Sequence, residues 1–173
     1  MTTPKPPCKI LFLCTGNSAR SILAEFILRK IAPATFETWS AGSSPKASPH
    51  PLALEVLSED YQLDVSAARS KSWTELEGVR FDLVITLCDD AQETCPVWPG
   101  QPVVAHWPSP DPAKFEGTRE EQRRFFRQVA RQIHRRLELL ASFPFEKLDA
   151  LRLEIAIREI ARHEKQVGDP GCP

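Results

Sequence analysis

The chain has 173 residues, 42% of them hydrophobic, and a formal net charge of −1, enough for one domain with a real core. That balance argues against nucleic-acid binding and attachment to a membrane surface, and no apolar stretch reaches membrane-spanning length. Residues 1–7 carry no secretory apolar core, so a cytoplasmic protein is expected, in which the five cysteines are reactive or buried rather than structural disulfides.

Lys9-Ile10-Leu11-Phe12-Leu13 reads as a buried strand, and residues 18–31, stopped near Pro33, as a helix. Residues 36–40 form a second strand. A proline-rich loop follows over 41–51, then a short helix at 52–59 and a helical turn at 73–76. The run from Phe81 to Leu87 is a strong strand signal, and Val103-Val104-Ala105 is a short fourth strand. Residues 118–140 make a long helix with Phe125, Phe126, Val129, Ile133, Leu137 and Leu140 at helical spacing. Residues 145–166 form an added amphipathic helix that packs over the core or makes a dimer contact. Alternating strands and helices imply a parallel sheet with right-handed crossovers. The expected fold class is α/β: a single-domain sandwich with a four-stranded parallel sheet flanked by helices. It occupies residues 1–141, with a helical extension and tail over 142–173.

Cys14 closes the first strand, and Arg20 follows after five residues, in the first turn of the helix. The small residues between them let backbone N–H groups turn inward as a nest, and the helix N-terminus adds positive potential. Thr15, Gly16, Asn17, Ser18, Ala19, Arg20 and Ser21 thus form a cradle for a tetrahedral oxyanion, with the Cys14 thiolate at its floor. Helix N-termini and nearby cations favour a thiolate, and the Arg20 guanidinium can grip two oxyanion oxygens at once. Ser21 is placed to donate a hydrogen bond to the Cys14 sulfur, and Asn17 tolerates the left-handed backbone such a loop needs. A buried cysteine beside a capping serine would show the same spacing; the strand-loop-helix setting favours catalysis.

Cys88 ends the third long strand and Cys95 lies six intervening residues later, before Pro96. Residues 89–94 can form a short helix that separates the two sulfurs. If it unwinds, the chain is long enough to bring the cysteines within the ~4.4–6.8 Å Cα separation of a disulfide. Two small buried cysteines are the plainer alternative. Cys14 and Cys88 both sit at strand ends, where open α/β sheets bind ligands. Cys8 and Cys172 receive no catalytic role. His50, His106, Trp107 and His134 read as structural, and no spacing suggests a metal site.

Cys-Thr-Gly-Asn-Ser-x-Arg-Ser after an N-terminal strand resembles the low-molecular-weight tyrosine phosphatase group, and within it the thioredoxin-coupled arsenate reductases. The resemblance covers about residues 8–141. It implies that Asp111, in Asp111-Pro112, is the general acid. Ala113 follows where the phosphatases usually carry an aromatic residue, which favours a small inorganic anion over aryl phosphates. Ala19 stands where many relatives carry another cysteine. The resemblance further implies a relay: Cys14 attacks arsenate, a Cys14–Cys88 disulfide releases arsenite, and Cys95 moves the disulfide to Cys88–Cys95 for thioredoxin to reduce. Phosphate and sulfate would compete, and no cofactor is implied. Some relatives bind potassium behind the loop; Asn17, Glu25 and Ser40 match three ligand positions, and Lys71 aligns with the fourth, so its ammonium is expected to replace the ion. The alternative is a phosphatase using Cys14, Arg20 and Asp111 alone. A third reading, a non-catalytic oxyanion- or arsenite-responsive binder, leaves Asp111 without a purpose.

Overall fold

The computed structural model describes residues 7–145 and 149–163. Its sheet has four parallel strands in the order β2-β1-β3-β4: β1 Cys8–Cys14, β2 Phe36–Gly42, β3 Leu83–Thr86 and β4 Val103–His106. The central strands are apolar on both faces, as a parallel sheet covered by helices requires; Ile10, Leu11, Phe12, Leu13, Val84 and Ile85 are all fully buried. The chain leaves β1 toward β2 on one side and finds β3 on the other. The crevice at this switch point, beyond the carboxyl ends of β1 and β3, is where such folds bind ligands. Cys14 and Cys88 stand on either side of it.

The helices are α1 Arg20–Ile31, α2 Pro51–Glu55, α3 Asp89–Glu93, α4 Arg119–Ser142 and α5 Ala150–His163. α1 runs from the first strand back through the core, with every residue from Arg20 to Leu28 buried. α4 starts at a capping box, in which Thr118 and Glu121 satisfy each other's backbone N–H groups. Its buried stripe, including Phe126, Val129, Ile133 and Leu137, packs on α1. The α/β sandwich expected from the sequence is therefore the fold observed.

The expected strand over 81–87 is shorter: the ladder spans Leu83–Thr86, although the Asp82 backbone still bonds Lys9 and Val103 on its two sides and its carboxylate accepts the Lys9 N–H. The expected helix over 52–59 divides into α2 and a π turn over Val56–Asp60. The added helix begins at Ala150 and is described to His163; its expected extension to Gln166, and Cys172, lie outside the described residues. Ile157 and Ile160 belong to the same core as the sheet, and α5 packs on β4. No helix among the described residues is long and apolar enough to cross a membrane.

Candidate active site

The cradle is built by tying its carbonyls outward. The Thr15, Gly16 and Ser18 carbonyls accept from the backbone N–H groups of Ser44, Lys46 and His50, at 2.8–2.9 Å. The Asn17 carbonyl accepts from the Ser70 hydroxyl at 2.6 Å, and the Ala19 carbonyl from Leu23 N–H at 2.9 Å. No peptide here is cis, and in a trans unit the N–H opposes the C=O. The amides of Gly16, Ser18, Ala19 and Arg20 oppose these carbonyls on residues that line the crevice, whereas Asn17 N backs onto Gly42. Ala19 occupies the N-cap of α1 and offers no side-chain cap, so the first-turn N–H groups stay available to an anion.

Asn17 organises the loop. Its φ of 42° is the left-handed turn that asparagine tolerates. Its side-chain amide is fully used: Nδ2 donates to Ser21 Oγ and Ser40 Oγ at 2.9 Å each, and Oδ1 accepts from Lys71 N–H at 2.8 Å. Because Asn17 already donates to Ser21, the Ser21 hydroxyl is free to donate to Cys14 Sγ, 2.9 Å away. The proton on Ser40 likewise goes to Glu25 Oε2.

Arg20 donates to the Ser109 carbonyl at 3.1 Å and to Asp111 Oδ2 at 3.0 Å. The other Asp111 oxygen accepts from Ala113 N–H at 3.1 Å. The expected oxyanion clamp and the expected acid therefore hold one another. Cys14, Thr15, Arg20, Cys88 and Asp111 line one cavity of about 850 Å³. Cys88 Sγ lies 3.2 Å from Thr15 Oγ1, the residue after Cys14. Cys95 is apart, half-buried in a second cavity of about 450 Å³ beside His106 and Arg158. Burial pushes the Cys95 thiol pKa up, while the Trp98 indole beside it pulls the other way. Between the two cysteines α3 is folded, and all four described cysteines are free thiols.

The family model of the low molecular weight phosphotyrosine protein phosphatases matches residues 9–152, the cradle and the Asp111 loop included. The chain belongs to this family. An arsenate reductase of Halalkalibacterium halodurans is 37% identical over 132 residues, 76% of this chain and 94% of its own length. A solved thioredoxin-dependent arsenate reductase of Corynebacterium glutamicum superposes with a TM-score of 0.56 at 30% identity, over 80% of this chain and 65% of that one. An arsenate reductase in its phosphate-binding state does so with a TM-score of 0.66 at 27% identity, over 78% and 97%.

Several parts of this phosphatase-family site are not read from its local motifs. Gly42, at the end of β2, is one: a Cβ there would sit 2.4 Å from the Thr15 carbonyl oxygen. Lys46 is another; its stem lies over Gly16 and it lines the cavity. His106 joins Thr86 Oγ1 at 2.9 Å to Asp89 Oδ1 at 3.0 Å and so pins the first residue of α3. Arg136 on α4 donates to the Pro108 carbonyl and Ser109 Oγ. His50 N-caps α2 through Nδ1, and burial lowers its pKa. Behind the loop, Glu25 is buried and receives Ser40, Arg29 and, at 3.8 Å, the Lys71 ammonium. Burial pushes the Lys71 pKa down and Glu25 partly restores it. Among the described residues, no group of three or more His, Cys, Asp or Glu side chains could hold a metal ion.

Proposed function

We propose that this protein is an arsenate reductase working through Cys14, Cys88 and Cys95. The observation that carries this reading is the second thiol at the oxyanion cradle. Cys88 lines the same cavity as Cys14 and touches the cradle at Thr15, whereas phosphate ester hydrolysis needs one nucleophile only. The arsenate reductases among the relatives support the substrate.

Arsenate, or phosphate or sulfate competing with it, binds the loop amides and draws Arg20 away from Asp111. Asp111 then donates a proton to the departing oxygen. The Cys14 thiolate attacks arsenic; an As–O bond breaks and the oxygen leaves as water. Cys88 then attacks Cys14 Sγ. The S–As bond breaks with its electron pair kept by arsenic, which leaves as arsenite, As(III), while two thiols become one disulfide. The Thr15 hydroxyl, 3.2 Å from Cys88 Sγ, can donate to the attacking thiolate. Cys95 next attacks Cys88, which frees Cys14 and moves the disulfide to Cys88–Cys95. That step requires α3 to unwind, a local opening. The opening also releases Cys95 from the burial that suppresses its thiolate.

Thioredoxin is the reductant we assign, on the strength of the thioredoxin-dependent Corynebacterium neighbour. The test is NADPH consumption with arsenate, thioredoxin and its reductase. Wild type should turn over many times, and Cys95→Ser should stop after about one equivalent of arsenite. Equal steady rates in both would remove Cys95 from the relay. Steady hydrolysis of an aryl phosphate with no arsenate-dependent turnover would make the protein a phosphatase.

Lys71 serves this site as a resident cation. Its ammonium pairs with buried Glu25, and Glu25, Ser40 and Asn17 hold the loop in one hydrogen-bonded chain. Activity should therefore be equal within about twofold in potassium and sodium at matched ionic strength. Several-fold activation by potassium would show an ion, rather than Lys71, in that place.

A further inference from the structure

We propose that α5 is a working part of the catalytic site: it fixes the loop that carries Asp111 by accepting the Trp107 indole N–H on the Ile157 carbonyl. This rests on the reading of Asp111 as the general acid. Trp107 is fully buried at the end of β4, and its one polar atom reaches α5 at 3.0 Å. Without that acceptor a buried donor would go unpaired, which is unfavourable. α5 is itself firmly seated, because Ile157 and Ile160 are 0% and 2% exposed, and burial of such apolar side chains is favourable.

The connection from Trp107 to Asp111 is stiff. Pro108, Pro110 and Pro112 alternate with Trp107, Ser109 and Asp111, and each proline locks its own φ and restricts the residue before it. Anchoring one end of such a strut positions the other. Arg136 and Arg20 hold its middle, at Pro108 and Ser109. Trp107 is the anchor at the base, and α5 supplies its partner. Ala161 of α5 moreover lines both the catalytic cavity and the Cys95 cavity. The family match stops at residue 152, so most of α5, including Ile157 and Ala161, lies beyond the region shared with the family.

The experiment compares wild type, Trp107→Phe, Ile160→Ala and the double variant. Trp107→Phe keeps the buried ring and loses the donor; Ile160→Ala loosens the seat of α5. The readouts are the single-turnover rate of thiol loss on mixing with arsenate, the phosphate Kd, and the pH profile of that rate. Each single variant should slow the step about 3–10-fold, a part of what a positioned acid supplies. The phosphate Kd should stay within twofold, and the fall in rate toward alkaline pH should flatten as solvent replaces Asp111. The double variant should be no slower than the slower single, since both act on one connection. Rates within twofold of wild type, or a phosphate affinity lost in proportion to rate, would overturn the proposal. Trp107→Phe decides the matter by itself if Ile160→Ala does not fold. Asp111→Asn separates the two readings. If it leaves the rate unchanged, the acid assignment fails. If it slows the step and Trp107→Phe does not, α5 has no part in positioning the acid.

Discussion

Cys14→Ser is expected to abolish arsenite formation while leaving phosphate binding nearly intact. A serine hydroxyl is not ionised near neutral pH and cannot enter a disulfide, so both the attack on arsenic and the reduction that follows are lost. The expected fall in rate is at least ~10⁴-fold, as for other nucleophile deletions. Binding should survive, because the cradle does not depend on sulfur. The loop is set by carbonyls bonded to Ser44, Lys46, His50, Ser70 and Leu23, and serine keeps a partner for Ser21. Arsenite release and a phosphate titration on the same preparation check both halves. Residual activity above about one per cent would mean that Cys88 can attack arsenic unaided. Loss of phosphate binding would mean that the thiolate holds the loop in shape.

Gly42→Ala should disable the site from behind. The added Cβ would stand 2.4 Å from the Thr15 carbonyl oxygen and 3.0 Å from Asn17 N. Both are backbone atoms, so no side chain can swing aside. Relief requires the Thr15 peptide to rotate, which breaks its bond from Ser44 N–H and turns the Gly16 amide out of the cradle. Overpacking of this kind costs about 1–3 kcal/mol, and a lost charge-assisted amide contact adds a drop of roughly tenfold or more in phosphate affinity. Gly78→Ala is the matched control, since nothing lies within 4 Å of its Cβ position. Thermal unfolding and phosphate titration of the pair should separate them; a Gly42→Ala protein with unchanged Tm and affinity would show that the cradle tolerates displacement of β2.

Legibility in the sequence follows the range of the interaction. Cys14, the loop and Arg20 are consecutive, so a strand pattern, a run of small residues and a helix pattern suffice to place them. The same holds for the long helix α4, placed by its apolar spacing, and for α3 between Cys88 and Cys95. Element ends are less legible: the bonds of Asp82, to Lys9 across 73 residues and to Val103, are tertiary. Gly42 reads as an ordinary residue at a strand end, and only its register opposite Cys14 makes it indispensable.

The local features of this protein were therefore determined by the sequence alone: a buried parallel sheet, a cysteine at the mouth of a helix N-terminus, a pair of further cysteines around a short helix, and an Asp-Pro turn. Only the tertiary structure decided how they face one another. Thr15 meets Cys88 across 73 residues, Arg20 meets Asp111 across 91, and Trp107 meets α5 across 50. The physical reason is that propensity and periodicity act through neighbours in the chain. Contacts at that separation are set by strand order and register and by which side chains fill the space between layers.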